Sequence, residues 1–364
     1  MTMRIVHVYK DYYPVLGGIE NHVRVLAERQ VAAGHEVAVV VCALGRQGSV
    51  AVEGGVTVVR TGRLATVRSM PLSLSFKGAL RDRGAEVVHV HSPFPLGEQA
   101  ATGLKRDVAL VVTHHADVVK QKLLLKFYTP LYKRFLRRVD RIIVTSEAYG
   151  RSSPWLQAHG DKLRAVPLGI ESATFKPANG NKGDVVELLF AGKLRYYKGL
   201  DDLLEALEGL KGVRLNIVGD GPMRQKLEGQ AAELKLTDRV NFLGEVADDE
   251  LPGLYQRARL FVLPANCRAE AFGTVLLEAM ASGLPCVSTE LATGTSWVVQ
   301  DGVTGMVVPP RNPAALAEAI TSLLSDPERL RSMGDAGRQR VLDTFTTDKM
   351  VAGVEAVYRE AQGL

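Results

Sequence analysis

Cysteine is scarce: Cys42, Cys267 and Cys286 are the only three in 364 residues. They are widely spaced and odd in number, with no Cys-x-x-Cys and no Cys/His zinc spacing, which argues against a disulfide framework and a structural zinc site. No uncharged run approaches the roughly 18 residues needed to cross a bilayer. The first residues carry a short apolar run but no signal-peptide core or cleavage site, so the expected compartment is the cytoplasm. Asp-x-Asp, a carboxylate pair that often holds a divalent cation, occurs nowhere. Gly-x-Gly-x-x-Gly is also missing, which weighs against a nicotinamide dinucleotide.

What is present is ordinary globular composition, 46% hydrophobic and 23% charged, in a chain long enough for two domains. The net charge of +5 hides a split. Residues 1–170 hold 24 Lys/Arg against 13 Asp/Glu, residues 171–364 hold 21 against 27, and all eight histidines lie in the first half. Such asymmetry predicts two domains with different partners.

Short β-branched runs alternate with helical patterns. Residues 4–9, 36–42, 86–90, 109–113 and 141–145 read as strands buried on both faces. A Gly, Asn, Lys and Pro-rich stretch within 165–184 reads as a linker. The pattern then restarts with strands at 185–191, 213–218, 240–243, 260–264 and 285–288. Helices are expected at about 199–209, 222–235, 248–258, 274–282, 313–325 and 347–362. Two Rossmann-like halves follow, with ligands expected at the carboxyl ends of the strands and in a cleft between the halves.

Four motifs sit at such strand ends. Pro14-Val15-Leu16-Gly17-Gly18 precedes a helix, and its glycines would let backbone approach a phosphate; it also reads as a plain turn. Gly192-Lys193-Leu194-Arg195-Tyr196-Tyr197-Lys198-Gly199 puts three cations where a phosphate would bind. Gly219-Asp220-Gly221-Pro222 is compatible with turn chemistry alone. The fourth runs from Leu263 to Pro285: Glu270 lies in the loop after a strand, Gly273 opens a helix with free N–H groups, and Glu278 lies about one turn inside. Read alone, Glu278 would be an exposed helix glutamate.

This arrangement resembles the Glu-x7-Glu signature of retaining glycosyltransferases of family 4, and the likeness covers essentially the whole chain. HHADVVKQK (114–122) and TGTSWVVQDGVTG (293–305) resemble bacterial mannosyl- and rhamnosyltransferases of surface polysaccharide assembly. The resemblance implies an α/β GT-B fold, with two Rossmann-like doubly wound domains facing a central cleft. Residues 1–170 would form the acceptor domain and 171–346 the nucleotide-sugar-binding domain, and 347–364 would be a helix returning to the first. It implies that Glu270 meets the donor sugar, aided by N–H groups of Ala271, Phe272 and Gly273. N–H groups near Thr274 and Val275 would hold the diphosphate, and Glu278 the ribose. Lys193 and Lys198 would neutralise the leaving group, with Gly17 and Gly18 as backbone donors. His115 matches the family's active-site histidine, with His114 as its rival. Arg is common where Lys193 stands, and Lys lacks its bidentate fork. The implied co-substrate is a nucleotide-diphosphate sugar, GDP-mannose from the subgroup likeness, with UDP-glucose and UDP-N-acetylglucosamine as alternatives. The acceptor would be a saccharide or lipid-linked saccharide. No cofactor and no metal site are expected, and a subunit that binds nucleotide sugar without catalysis is the non-enzymatic alternative.

Residues 120–141 carry eight Lys/Arg and one acid among many apolar residues. This basic amphipathic stretch suits peripheral contact with anionic lipid at the inner face of the cytoplasmic membrane, or equally a helix packed on the sheet. Nucleic acid is not expected, since no binding motif accompanies the charge. His7, His89 and His91 are expected in the core or at a cleft edge, without a third ligand for a metal, and His22, His35 and His159 at the surface.

Overall fold

A computed structural model of the chain describes residues 2–15, 17–67, 70–117, 122–178 and 186–364. The chain forms two compact units, Met1–Pro167 with Thr347–Leu364, and Leu168–Thr346.

The first unit runs β1 (Arg4–Val8), α1 (Gly18–Ala32), β2 (Glu36–Cys42), β3 (Ser49–Glu53), β4 (Val56–Thr61), β5 (Ala65–Val67), β6 (Met70–Leu72), α2 (Phe76–Arg81), β7 (Val87–Ser92), α3 (Pro95–Thr102), β8 (Ala109–His114), α4 (Lys122–Arg138), β9 (Arg141–Val144), α5 (Glu147–Ser152) and β10 (Leu163–Ala165). Its sheet has the order β10-β9-β8-β7-β1-β2-β4-β3, parallel except for β3 against β4. The strands of this centre are buried and largely apolar because helices cover both faces. The expected strand pattern omits β3, β4, β5, β6 and β10. Val50 and Val52 of β3 are exposed on the sheet edge, so the pattern there lacks the burial that marks the central strands.

The second unit runs β11 (Val186–Ala191), α6 (Leu200–Glu208), β12 (Val213–Val218), α7 (Arg224–Glu233), β13 (Val240–Gly244), α8 (Leu251–Arg257), β14 (Leu260–Leu263), α9 (Thr274–Ala281), β15 (Cys286–Thr289), α10 (Thr295–Val298), β16 (Gly305–Val308), α11 (Pro313–Leu324) and α12 (Pro327–Thr344). Its sheet, β13-β12-β11-β14-β15-β16, is wholly parallel. Asp248 and Asp249 lie in the turn before α8 rather than in a helix. The last helix, α13 (Thr347–Gln362), packs on β8, β9 and α1 of the first unit, burying Met350, Val354, Val357 and Tyr358.

In the basic segment, α4 buries Tyr132, Phe135 and Leu136 and exposes Lys126, Lys133, Arg134 and Arg137. Arg138 is buried, donating to the Lys105 and Val108 carbonyls. This part of the segment is therefore a helix packed on its own domain. Lys120 lies outside the described residues, as does the side chain of Lys122. Among the described residues no helix is long and apolar enough to cross a membrane.

Candidate functional site

A doubly wound sheet opens its crevice where the strand order reverses. In the second unit that point lies between β11 and β14, which are hydrogen-bonded neighbours far apart in sequence. The loop after β11 carries Lys193 to Gly199, and the loop after β14 carries Pro264 to Gly273. Sheet order therefore brings these two motifs together. Lys198 Nζ lies 2.6 Å from Glu270 Oε2, and each residue is only 8% exposed. The backbone fixes the approach. Asn266 donates from its backbone N to the Tyr197 carbonyl at 2.9 Å and from its side chain to the Tyr196 carbonyl at 3.2 Å. Gly199 has φ +69°, and a Cβ there would run into the Pro264 carbonyl, so this position admits only glycine without rearrangement. Burial alone would lower the Lys198 ammonium. The Glu270 carboxylate, with Tyr197 and Glu278 behind it, reverses that and holds Lys198 above its ordinary value.

Gly273, at φ +80°, caps α9 with no side-chain acceptor, so the first N–H groups of the helix are left for an anion. Phe272 is buried with its ring against Trp297 and Phe345, which anchors the loop ahead of Thr274 and Val275. Glu278 is half-buried, and the Tyr255 hydroxyl donates to its Oε2 at 2.7 Å. Burial pushes its carboxyl up to about 7, against the pull of Tyr255. It is therefore not an exposed helix glutamate. Lys193 is exposed and lines a cavity of about 470 Å³ with Arg195, Asp220, Gly221, Pro222 and Glu245. The loops after β11 and β12 thus meet there, and Leu194 N donates to the Asp220 carbonyl at 2.9 Å.

In the first unit the order reverses about β1, with β2 on one side and β7 on the other. Gly17 is extended backbone at the start of α1, its carbonyl accepting from Asn21 N at 2.9 Å, and a Cβ on Gly18 would meet open space. Leu16 of this motif lies outside the described residues. The β-pleat separates the two candidate histidines. Register pairs His7 with His89 and His91 with Thr113, so these four share one face, and His115, two residues beyond Thr113, joins them. His115 Nε2 lies 3.0 Å from His91 Nδ1, and His91 Nε2 lies 3.1 Å from His7 Nδ1. His7 Nε2 is 2.7 Å from Gln30 Oε1. His114 goes to the other face, its Nδ1 2.7 Å from the Tyr132 hydroxyl and its Nε2 3.1 Å from Asp117.

Three expectations about histidines change here. His22 is buried, its ring 5.2 Å from that of His115 and 5.6 Å from that of His91, because α1 lays this face on the sheet. The His35 side chain is buried between β1 and α13, accepting from Met3 N at 3.1 Å with Glu355 3.3 Å away. A third imidazole is also in view beside His89 and His91: His7 completes one set of three, and His22, His91 and His115 form another, each with ring nitrogens within 4.8 Å. Burial drives the rings to the neutral form, His7 to about 4 and His22 to about 3, with His89, His91 and His115 well below the ordinary value.

Sequence reading missed Glu98. It is fully buried at the start of α3, accepting from the Ser92 hydroxyl at 2.8 Å, Phe94 N at 2.9 Å and the Tyr128 hydroxyl at 2.8 Å. Burial pushes its carboxyl up to about 7. Its partners come from β7, from the residue before α3 and from α4, and no local pattern announces them.

Residues 171–340 match the family described as Glycosyl transferases group 1, and residues 16–173 match Glycosyltransferase Family 4. The chain is 35% identical to O-antigen chain mannosyltransferase C of Escherichia coli, over 98% of each chain. It is 37% identical to the D-rhamnosyltransferase WbpZ of Pseudomonas aeruginosa, over 94% of this chain and 92% of that one. Among solved structures, a sucrose-phosphate synthase from Thermosynechococcus elongatus superposes with a TM-score of 0.82 at 24% identity, over 98% of each chain, a likeness of fold.

Proposed function

The chain belongs to the group 1 and family 4 glycosyltransferases, and from that premise we propose that it moves mannose from GDP-mannose onto a glycan or lipid-linked saccharide in surface polysaccharide assembly, with retention of configuration and without a divalent metal. The observation that carries this reading is the buried Lys198–Glu270 pair beside the open N-terminus of α9. Breaking the bond between a sugar and a diphosphate puts negative charge on the leaving oxygens and positive charge on the ring. A fixed ammonium and aligned N–H groups stabilise the first in a desolvated site. In this reading Lys198, Lys193 and the N–H groups near Thr274 and Val275 receive the diphosphate, those of Ala271, Phe272 and Gly273 aid Glu270 at the sugar, and Gly17 and Gly18 add backbone donors. Glu270 accepts hydrogen bonds from sugar hydroxyls, and Glu278 from the ribose. His115, neutral by burial, touches the sugar as a hydrogen-bonding group rather than as a cation. The leaving phosphate would take the acceptor's proton on the face it departs from.

The sugar and the acceptor class rest on the two relatives, whose names are those of an O-antigen mannosyltransferase and a D-rhamnosyltransferase. UDP-glucose and UDP-N-acetylglucosamine are the competing donors, and a non-catalytic nucleotide-sugar-binding subunit is the competing role. A thermal-shift panel with GDP, UDP and ADP, each with EDTA and with magnesium, separates these. A ligand at about 100 times its Kd adds roughly 2.7 kcal/mol, enough to move the midpoint by several degrees. A shift with GDP alone, unaffected by EDTA, is expected. A shift with UDP alone reassigns the donor, and a shift that needs magnesium removes the metal-free mechanism. Glu270→Gln is expected to abolish transfer while nucleotide binding persists; transfer that survives it would sink the site assignment.

A further inference from the structure

The buried imidazoles of the first unit form a chain whose protons can be counted. Three contacts lie in line: Gln30 Oε1 to His7 Nε2 at 2.7 Å, His7 Nδ1 to His91 Nε2 at 3.1 Å, and His91 Nδ1 to His115 Nε2 at 3.0 Å. Each contact needs one proton, and a neutral imidazole carries one. Gln30 Oε1 is a carbonyl oxygen and can only accept, so His7 holds its proton on Nε2. His7 Nδ1 must then accept, which puts the proton of His91 on Nε2. His91 Nδ1 must accept in turn, which puts the proton of His115 on Nε2. A second branch is consistent with that orientation of the amide. Gln30 Nε2 donates to the Tyr358 hydroxyl at 3.4 Å, that hydroxyl donates to His89 Nδ1 at 2.7 Å, and His89 Nε2 donates to Thr113 Oγ1 at 2.7 Å. Turning the amide over would invert every link.

We propose that Gln30 is a positioning residue that, acting through His7 and His91, sets His115 as the Nε2–H tautomer and leaves His115 Nδ1 as an acceptor. His115 makes its side-chain hydrogen bond through Nε2, to His91, which leaves Nδ1 for a ligand. A sugar hydroxyl could therefore donate to it, whereas the opposite tautomer would present a donor there and reject the same hydroxyl geometry. Full burial of the rings keeps a second proton off the chain. The consequence for transfer rests on the role given to His115 above; the tautomer does not.

The test is long-range 1H–15N spectroscopy of the full-length chain with 15N-labelled histidine. In the native protein His7, His91 and His115 are expected in the Nε2–H pattern. Gln30→Leu should move His115 to a mixture or to Nδ1–H, and lower kcat roughly tenfold with KM for the sugar nucleotide little changed, the scale of one misdirected hydrogen bond. Tyr358→Phe, which frees the amide from α13, should do the same and serves if Gln30→Leu does not fold. A native His115 in the Nδ1–H form, or a tautomer unmoved in both variants, overturns the proposal. His115→Ala separates the two claims: transfer that survives it removes the catalytic role of His115, while the tautomer result still decides the chain of protons.

Discussion

At the carboxyl ends of its strands, the first unit buries neutral rings that share protons, and the second buries a full ammonium against a carboxylate. Both stand at the reversal of strand order in a parallel sheet. The difference follows from what each can tolerate. A row of imidazoles can be desolvated because each gives up its charge and keeps its hydrogen bonds. A buried Lys and Glu keep their charges only while each has the other. Loss of one neutral ring therefore leaves no uncompensated charge behind, whereas the charged pair is fragile to losing either partner.

Removing one partner of the pair is the sharpest way to break this contrast. Lys198→Met should leave Glu270 uncompensated and cost about 3–5 kcal/mol, with transfer falling roughly 10²- to 10³-fold. Adding Glu270→Leu should recover much of the stability and none of the activity. Urea midpoints and kcat check both, and a destabilisation below about 1 kcal/mol in the single variant would show that the pair is solvated rather than buried.

The next effect concerns pH. Glu98 is fully buried and its carboxyl is raised to about 7. A raised carboxyl binds its proton more tightly when folded, so its contribution to stability is present at low pH and is lost as pH rises from about 4.5 through 7. The loss is on the order of 3 kcal/mol. Glu98→Gln should flatten the unfolding free energy between pH 5 and 8; a slope equal to the native one would assign the dependence elsewhere. Glu278, raised to about 7 in the second unit, should act in the same direction.

Smaller still is the loss of one link among the neutral groups. Thr113→Val keeps the shape but removes the acceptor of His89 Nε2, and should cost about 1–3 kcal/mol without changing the pH profile. Smallest is Glu360→Ala on α13. It removes the half-exposed partner of Arg141 and Arg164, and should shift stability by no more than about 1 kcal/mol, less in high salt. A larger change would mean that α13 is held by charge rather than by Val354, Val357 and Tyr358.

Most strands and helices were legible because burial on both faces, or on one helical stripe, writes itself into neighbouring residues. The edge strand β3 is among those that were not, because exposure erased that pattern. Lys198, Gly199, Glu270 and Gly273 could be singled out from local motifs, each at the end of a strand. Their meeting could not be read off, since it depends on β14 lying beside β11. Tyr255 on Glu278 and Tyr358 behind Gln30 had no signal at all.

The sequence by itself determined the alternation of strands and helices, the concentration of histidine and positive charge in the first half, and the family to which the chain belongs. Only the tertiary structure decided that His114 and His115 face opposite ways, that His22 is buried, and that Glu278 is bonded rather than exposed. Composition and spacing act within a few residues along the chain. Strand order, pleat and helix docking act across it, and they alone decide which side chains lose their water together.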